Sequence, residues 1–200
     1  MLEERKMKEM LSKLISFDMH TGKAPVADAT PLQRNLSGLR QIFSNQEAAA
    51  AILKTHDPLV YEFYDLHMPE KEGDLAFGSS IVYPGKVGEE FHMTKGHFHT
   101  ILETAEVYYC LNGYGMMMME SPEGDVEYRE MRPGQAVYVP GRYAHRSINL
   151  SDTETLVTFF VFRADAGHNY GTVEERGFRK LVVADGDGYA VVDNPNWVGA

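Results

Sequence analysis

The chain has 200 residues, 44% of them hydrophobic, and a formal net charge of −10. That length suits one domain able to bury a real core, and the acidic balance argues against nucleic acid or an anionic membrane as the main partner. The single cysteine, Cys110, excludes an internal disulfide, and no apolar run reaches transmembrane length.

At the start, Leu2, Met7, Met10, Leu11, Leu14 and Ile15 recur at helical spacing among Glu and Lys, which predicts an amphipathic helix over residues 2–16. No signal-peptide core is present there, so a cytoplasmic location is expected. Residues 21–31 are small, polar and proline-containing and read as a loop. Gln46-Glu47-Ala48-Ala49-Ala50-Ala51 predicts a second helix around Asn45–Thr55. From Val60 to Phe162 the chain is dense in Val, Ile, Tyr and Phe. Turn signals cut it at residues 83–86, 111–113, 121–125, 132–134 and 149–152. Short strands at that spacing predict an all-β antiparallel sandwich or barrel. We therefore divide the chain into an N-terminal helical and loop extension, residues 1–56, packing on the barrel or a partner subunit, and a barrel domain, residues 57–200.

The chemistry concentrates in His97-Phe98-His99, with Glu106 seven residues beyond and His145 much later. Histidines at i and i+2 share one face of a strand about 7 Å apart. Glu106 lies in an apolar run, where a buried carboxylate needs a partner. Three imidazoles and one carboxylate suit a divalent transition cation such as Fe, Ni, Mn or Zn better than Mg or Ca. Lys86, Lys95, Arg142 and Arg146 lie close in sequence to these residues and would supply a local cationic cluster for an anionic substrate. Other conspicuous residues have plainer readings. Met116-Met117-Met118-Met119 reads as packing at a barrel wall or subunit interface. Cys110 reads as a small buried hydrophobe, and His92 as a surface or rim residue outside the ligand set.

The two ligand segments resemble the motifs of the cupin family. The first reads Gly88, His97-Phe98-His99, Glu106 and Gly113; the second reads Gly134, Pro140, His145 and Asn149. Six residues separate His99 from Glu106 where most cupins have three or four, and Arg142 replaces the usual second-motif glycine. The resemblance implies a single cupin antiparallel barrel with inward-facing ligands. Four longer segments narrow it: residues 83–88, 94–99, 105–108 and 164–172. With them, the stretch from about Asp57 to Trp197 is similar to cupin-type phosphoglucose isomerases, and the similarity fades before Asp57.

That resemblance implies a metal held by His97, His99, Glu106 and His145, one divalent ion per subunit with Fe(II) favoured and Mn, Ni or Zn as alternatives. It implies a phosphate pocket near Tyr61, Ser80, Thr94, Gly96 and Tyr170, with Tyr108 and His168 on the sugar's hydroxyls and open chain. Ser80 stands where threonine is common and Phe162 where a tyrosine is expected, so one sugar hydrogen bond is missing. The implied reaction interconverts glucose 6-phosphate and fructose 6-phosphate, in a homodimer. Either Glu106 acts as base in an enediol route, slightly favoured, or a metal-aligned hydride shift moves the hydrogen. An iron-dependent dioxygenase with the same ligands, and a sugar-sensing cupin without turnover, are the rival readings. Oxygen uptake identifies the first, and tight hexose-phosphate binding without turnover the second.

Overall fold

The structure, a computed structural model, describes residues 14–19, 21–23, 30–66 and 69–199. The predicted helix over residues 2–16 lies outside the described residues apart from Leu14, Ile15 and Ser16, which are irregular. The chain then gives β1 (Leu32–Asn35), a single turn α1 (Leu36–Leu39) and α2 (Gln46–Leu53). Helix α2 is the predicted second helix, and the Asn45 side chain caps it by accepting from the Ala48 amide at 2.9 Å.

Strands follow in the alternating region as expected: β2 (Leu59–Asp65), β3 (Leu75–Val82), β4 (Lys86–Val87), β5 (Glu90–Phe91), β6 (Phe98–His99), β7 (Glu106–Asn112), β8 (Gly115–Glu120), β9 (Val126–Met131), β10 (Ala136–Val139), β11 (Ala144–Asn149) and β12 (Leu156–Arg163). The turn signals read from sequence fall in the gaps between them or overlap the adjoining strand ends. Beyond lie β13 (His168–Asn169), the short helix α3 (Gly171–Arg176), β14 (Lys180–Asp185) and β15 (Gly188–Asp193).

All pairings are antiparallel. One wall of the barrel is a six-stranded sheet in the order β1-β2-β3-β12-β7-β10, and the other is built on β11-β8-β9. The segment of residues 92–99 runs beside β11, joined by the bridges Met93↔Ile148 and His97↔His145. A second layer, the sheet β15-β14-β5-β4, closes the outside. It is tied to β9 by the Tyr189 hydroxyl, which donates to Glu130 at 2.6 Å.

This layering accounts for the methionine run. Register places Met117 and Met119 beside Ser147 and His145, and Met116 and Met118 beside Ile148 and Arg146. The four alternate between faces as a strand requires, yet all are buried inside one chain. No subunit interface is needed to cover them. Cys110 is fully buried and burial pushes its thiol up to about 11, so it is a packing residue. His92 departs from the surface reading: it is 4% exposed, with Nδ1 3.2 Å from the Tyr83 carbonyl. Arg142 explains why a glycine is usual at its place, because its φ of 73° lies in the left-handed region.

Candidate active site

The four predicted ligands converge. Ligand atoms of His97, His99, Glu106 and His145 all lie within 4.8 Å of one another. Local pairing places them: His97 and His145 exchange backbone hydrogen bonds at 3.3 and 3.1 Å, setting their rings 4.6 Å apart. Glu106 opens β7, and its Oε2 sits 3.2 Å from His99 Nε2 and 2.9 Å from His145 Nε2.

The tautomers follow from the outer contacts. His99 Nδ1 lies 3.0 Å from the Thr104 carbonyl and 2.8 Å from Thr104 Oγ1, whose own proton goes to the Ile101 carbonyl at 2.6 Å. His145 Nδ1 lies 3.2 Å from the Tyr143 carbonyl. Carbonyls only accept, so each Nδ1 carries the proton and each Nε2 presents a lone pair to the centre. Two such nitrogens against one carboxylate oxygen are satisfied by a proton, which Glu106 favours on His99, or by a cation held among them. His97 adds a demand of its own, since its Nε2 is buried without a hydrogen-bond partner. Burial, with His145 and His168 beside it, holds His97 well below the usual imidazole range and therefore neutral, as a ligand must be. Burial alone would push the Glu106 carboxyl up. The imidazoles of His145 and His99 against its Oε2 outweigh burial and hold the group below the usual carboxylate range, so it is ionised. The donor set therefore fits a divalent transition metal.

The cluster faces a cavity lined by every substrate residue named from sequence: Tyr61, Ser80, Thr94, Gly96, Tyr108, His168 and Tyr170. Tyr108 and Glu106 share one face of β7; burial and the Glu106 charge raise the Tyr108 pKa, so its hydroxyl stays a donor. His168 pairs across from His99 in the β13–β6 ladder, its ring 4.4 Å from that of His97. Phe162 stacks on His99 at 5.7 Å, covering the ligand with an apolar ring. At the other end, Thr94 Oγ1 accepts the Ser147 amide at 3.0 Å, which leaves its proton available to a ligand. Gly96 has φ of 82°, and a Cβ there would lie 2.7 Å from the Phe178 ring and 3.0 Å from the His145 carbonyl. A side chain there would displace the strand that carries His145.

The family model for glucose-6-phosphate isomerase matches residues 33–197. The chain belongs to the glucose-6-phosphate isomerase family. It is 45% identical over 183 residues to the glucose-6-phosphate isomerase of Thermococcus onnurineus, covering 92% of this chain and 95% of that one. The Pyrococcus furiosus enzyme is 44% identical over the same shares. A putative glucose-6-phosphate isomerase 1 from Rhizobium meliloti is 38% identical, covering 90% of this chain and 85% of that protein. Among solved structures, oxalate decarboxylase from Bacillus subtilis overlaps 54% of this chain and 26% of its own, at a TM-score of 0.42 and 23% identity. The family match begins at residue 33, well before Asp57, where the resemblance read from sequence fades, and so takes in most of β1.

In this glucose-6-phosphate isomerase family member the expected cationic cluster does not form. Lys86 pairs with Asp152 at 2.8 Å, and Arg142 pairs with Glu103 and Glu123. Arg146 points outward between the inward-facing His145 and Ser147, where it is buried with its guanidinium 3.8 Å from the Phe178 ring. Lys95 lies over the Tyr170 ring at 5.2 Å and is ion-paired with Glu174. Four lining residues escaped the sequence reading: Phe63, Asp65, Ser147 and Phe160. Period-two alternation from Tyr61, His145 and Phe162 finds all four.

Proposed function

We propose that this protein interconverts glucose 6-phosphate and fructose 6-phosphate, with a divalent metal held by His97, His99, Glu106 and His145; iron is favoured, with manganese, nickel or zinc as alternatives. The observation that carries the reading is the shared cavity. Glu106, His97 and His145, with His99 clustered beside them, face the same space as a cluster of hydroxyls and a glycine suited to a phosphate.

When bound, the metal would polarise the sugar's carbonyl and favour the negative charge that develops on its oxygen. Tyr61, Ser80, Thr94 and Tyr170 donate hydroxyl hydrogen bonds to the phosphate oxygens, and Gly96 lets the backbone approach them. With that end fixed, the reacting carbons lie toward Glu106. Kept ionised by its neighbours, Glu106 is the base that takes the proton from C2 and returns it to C1. Tyr108, a lasting donor, and His168 carry protons between the two sugar oxygens. Phe63, Phe160 and Phe162 exclude water from the reacting carbons.

A homodimer is the assembly we expect, read by the mass of the particle in solution. The reaction itself is tested by coupled turnover of fructose 6-phosphate on metal-loaded protein. Turnover that Glu106→Gln lowers by about 100-fold or more supports the reading. A folded, metal-loaded protein that turns over no hexose phosphate overturns it and directs attention to oxygen uptake.

A further inference from the structure

The hydroxyl cluster assigned to the phosphate is electrically neutral, in a chain of net charge −10. A phosphate ester carries nearly two negative charges near neutral pH. Donors without charge bind such a group, but a fixed guanidinium adds both charge and a paired hydrogen bond. The four cations near the ligands in sequence are engaged elsewhere, Lys95 through Glu174.

A fifth cation reaches the site from outside the barrel's main run. Arg34 lies on β1, directly across from Tyr61 in the β1–β2 ladder. Paired residues project to the same face, and Tyr61 lines the cavity. The ladder shifts register between Arg34 and Asn35, and such a bulge re-aims the side chain beside it. The bend is held by the Asn35 side-chain Nδ2, which donates to the Asp57 carbonyl at 3.0 Å, and by the Leu36 backbone amide, which donates to the Pro58 carbonyl at 2.9 Å. The Arg34 charge and the backbone amide of Lys95, between Thr94 and Gly96, both act on the Tyr61 hydroxyl. Arg34 also acts electrostatically on Tyr170. Its side chain donates to the Gln33 carbonyl at 3.1 Å, and no ion pair among the described residues includes it.

We propose that Arg34, presented by the β1 bulge beside Tyr61, is the charged anchor of the substrate's phosphate, so that the N-terminal strand completes the active site. This rests on the isomerase reading, whose substrate it places end to end: phosphate at Arg34 and Tyr61, reacting carbons at Glu106. It also makes Arg34 the residue that separates phosphorylated from unphosphorylated sugars.

The test uses the full-length, metal-loaded protein and its Arg34→Met variant, with Lys86→Met as a cation control remote from the cavity. Two readouts are taken: KM and kcat for fructose 6-phosphate, and binding of inorganic phosphate by titration calorimetry. Arg34→Met is expected to raise KM by about 10- to 100-fold, to change kcat by much less, and to weaken phosphate binding in proportion. Lys86→Met is expected to change neither. If Arg34→Met does not fold, Arg34→Gln carries the same expectation. Unchanged KM and unchanged phosphate binding in a folded Arg34 variant overturn the proposal. Wild-type protein without turnover, whose phosphate binding still falls with Arg34→Met, would leave the anchor standing and remove the isomerase reading instead.

Discussion

Thr104→Val is the sharpest test of how the metal centre is built. Valine matches threonine in shape but removes the hydroxyl that lies 2.8 Å from His99 Nδ1 and donates to the Ile101 carbonyl at 2.6 Å. The Thr104 carbonyl, 3.0 Å from the same nitrogen, remains, so the ring keeps its tautomer with a looser hold. Outer partners of ligating histidines typically carry about 10- to 100-fold in metal affinity, and a loss in that range is expected here. The Ile101 carbonyl loses one of two donors and keeps the Thr104 amide at 3.0 Å, a cost of about 0.5–1.5 kcal/mol that lowers Tm by about 1–6 °C in a chain of this size. Chelator competition measures the first effect and thermal melts of metal-free protein the second, while Thr104→Ser should recover both. Wild-type metal affinity and turnover in Thr104→Val would refute the claim that this hydroxyl positions His99.

His92 predicts a pH effect independent of the metal. Burial lowers its pKa below the usual 6.5. The unfolded chain therefore binds a proton that the folded chain resists, and His92's contribution is fully present above about pH 6.5 and lost as pH falls below it. The Tm of wild type should drop more than that of His92→Asn between about pH 7.5 and about pH 5.5; equal drops would contradict the argument. For the chemistry, fructose 6-phosphate formed from glucose 6-phosphate deuterated at C2 should carry mostly solvent hydrogen at C1 if Glu106 is the base. Complete retention of deuterium would favour the hydride shift.

The barrel and the ligand set were legible because each rests on a local pattern. Alternation and turn residues mark the strands, and His97, His99 and Glu106 are close in sequence, with His145 set by the second turn-and-strand motif. The ligand field's outer contacts were not legible, since Thr104 looks like any loop threonine until the turn folds it onto His99. Charge was read worst. Lys86 and Arg142 stand near the ligands in sequence, but their partners Asp152 and Glu123 arrive from distant loops. Arg146 follows a ligand directly, and strand alternation alone is enough to turn it away. Arg34 sits in a four-residue strand with little apolar pattern, and its relevance appears only once β1 pairs with β2. Residues 2–16, the predicted amphipathic helix, fall almost wholly outside the described structure.

The central claim is that isomerisation needs the metal centre formed by His97, His99, Glu106 and His145. Its most direct test is coupled turnover of fructose 6-phosphate by chelated protein during stepwise addition of Fe(II), then Mn(II), Ni(II) or Zn(II), with bound metal counted at each step. Activity should rise in proportion to bound metal, saturate near one ion per chain, and stay absent in His97→Ala at the same additions. Full turnover by chelated protein holding almost no metal, or wild-type turnover by His97→Ala, would contradict the account.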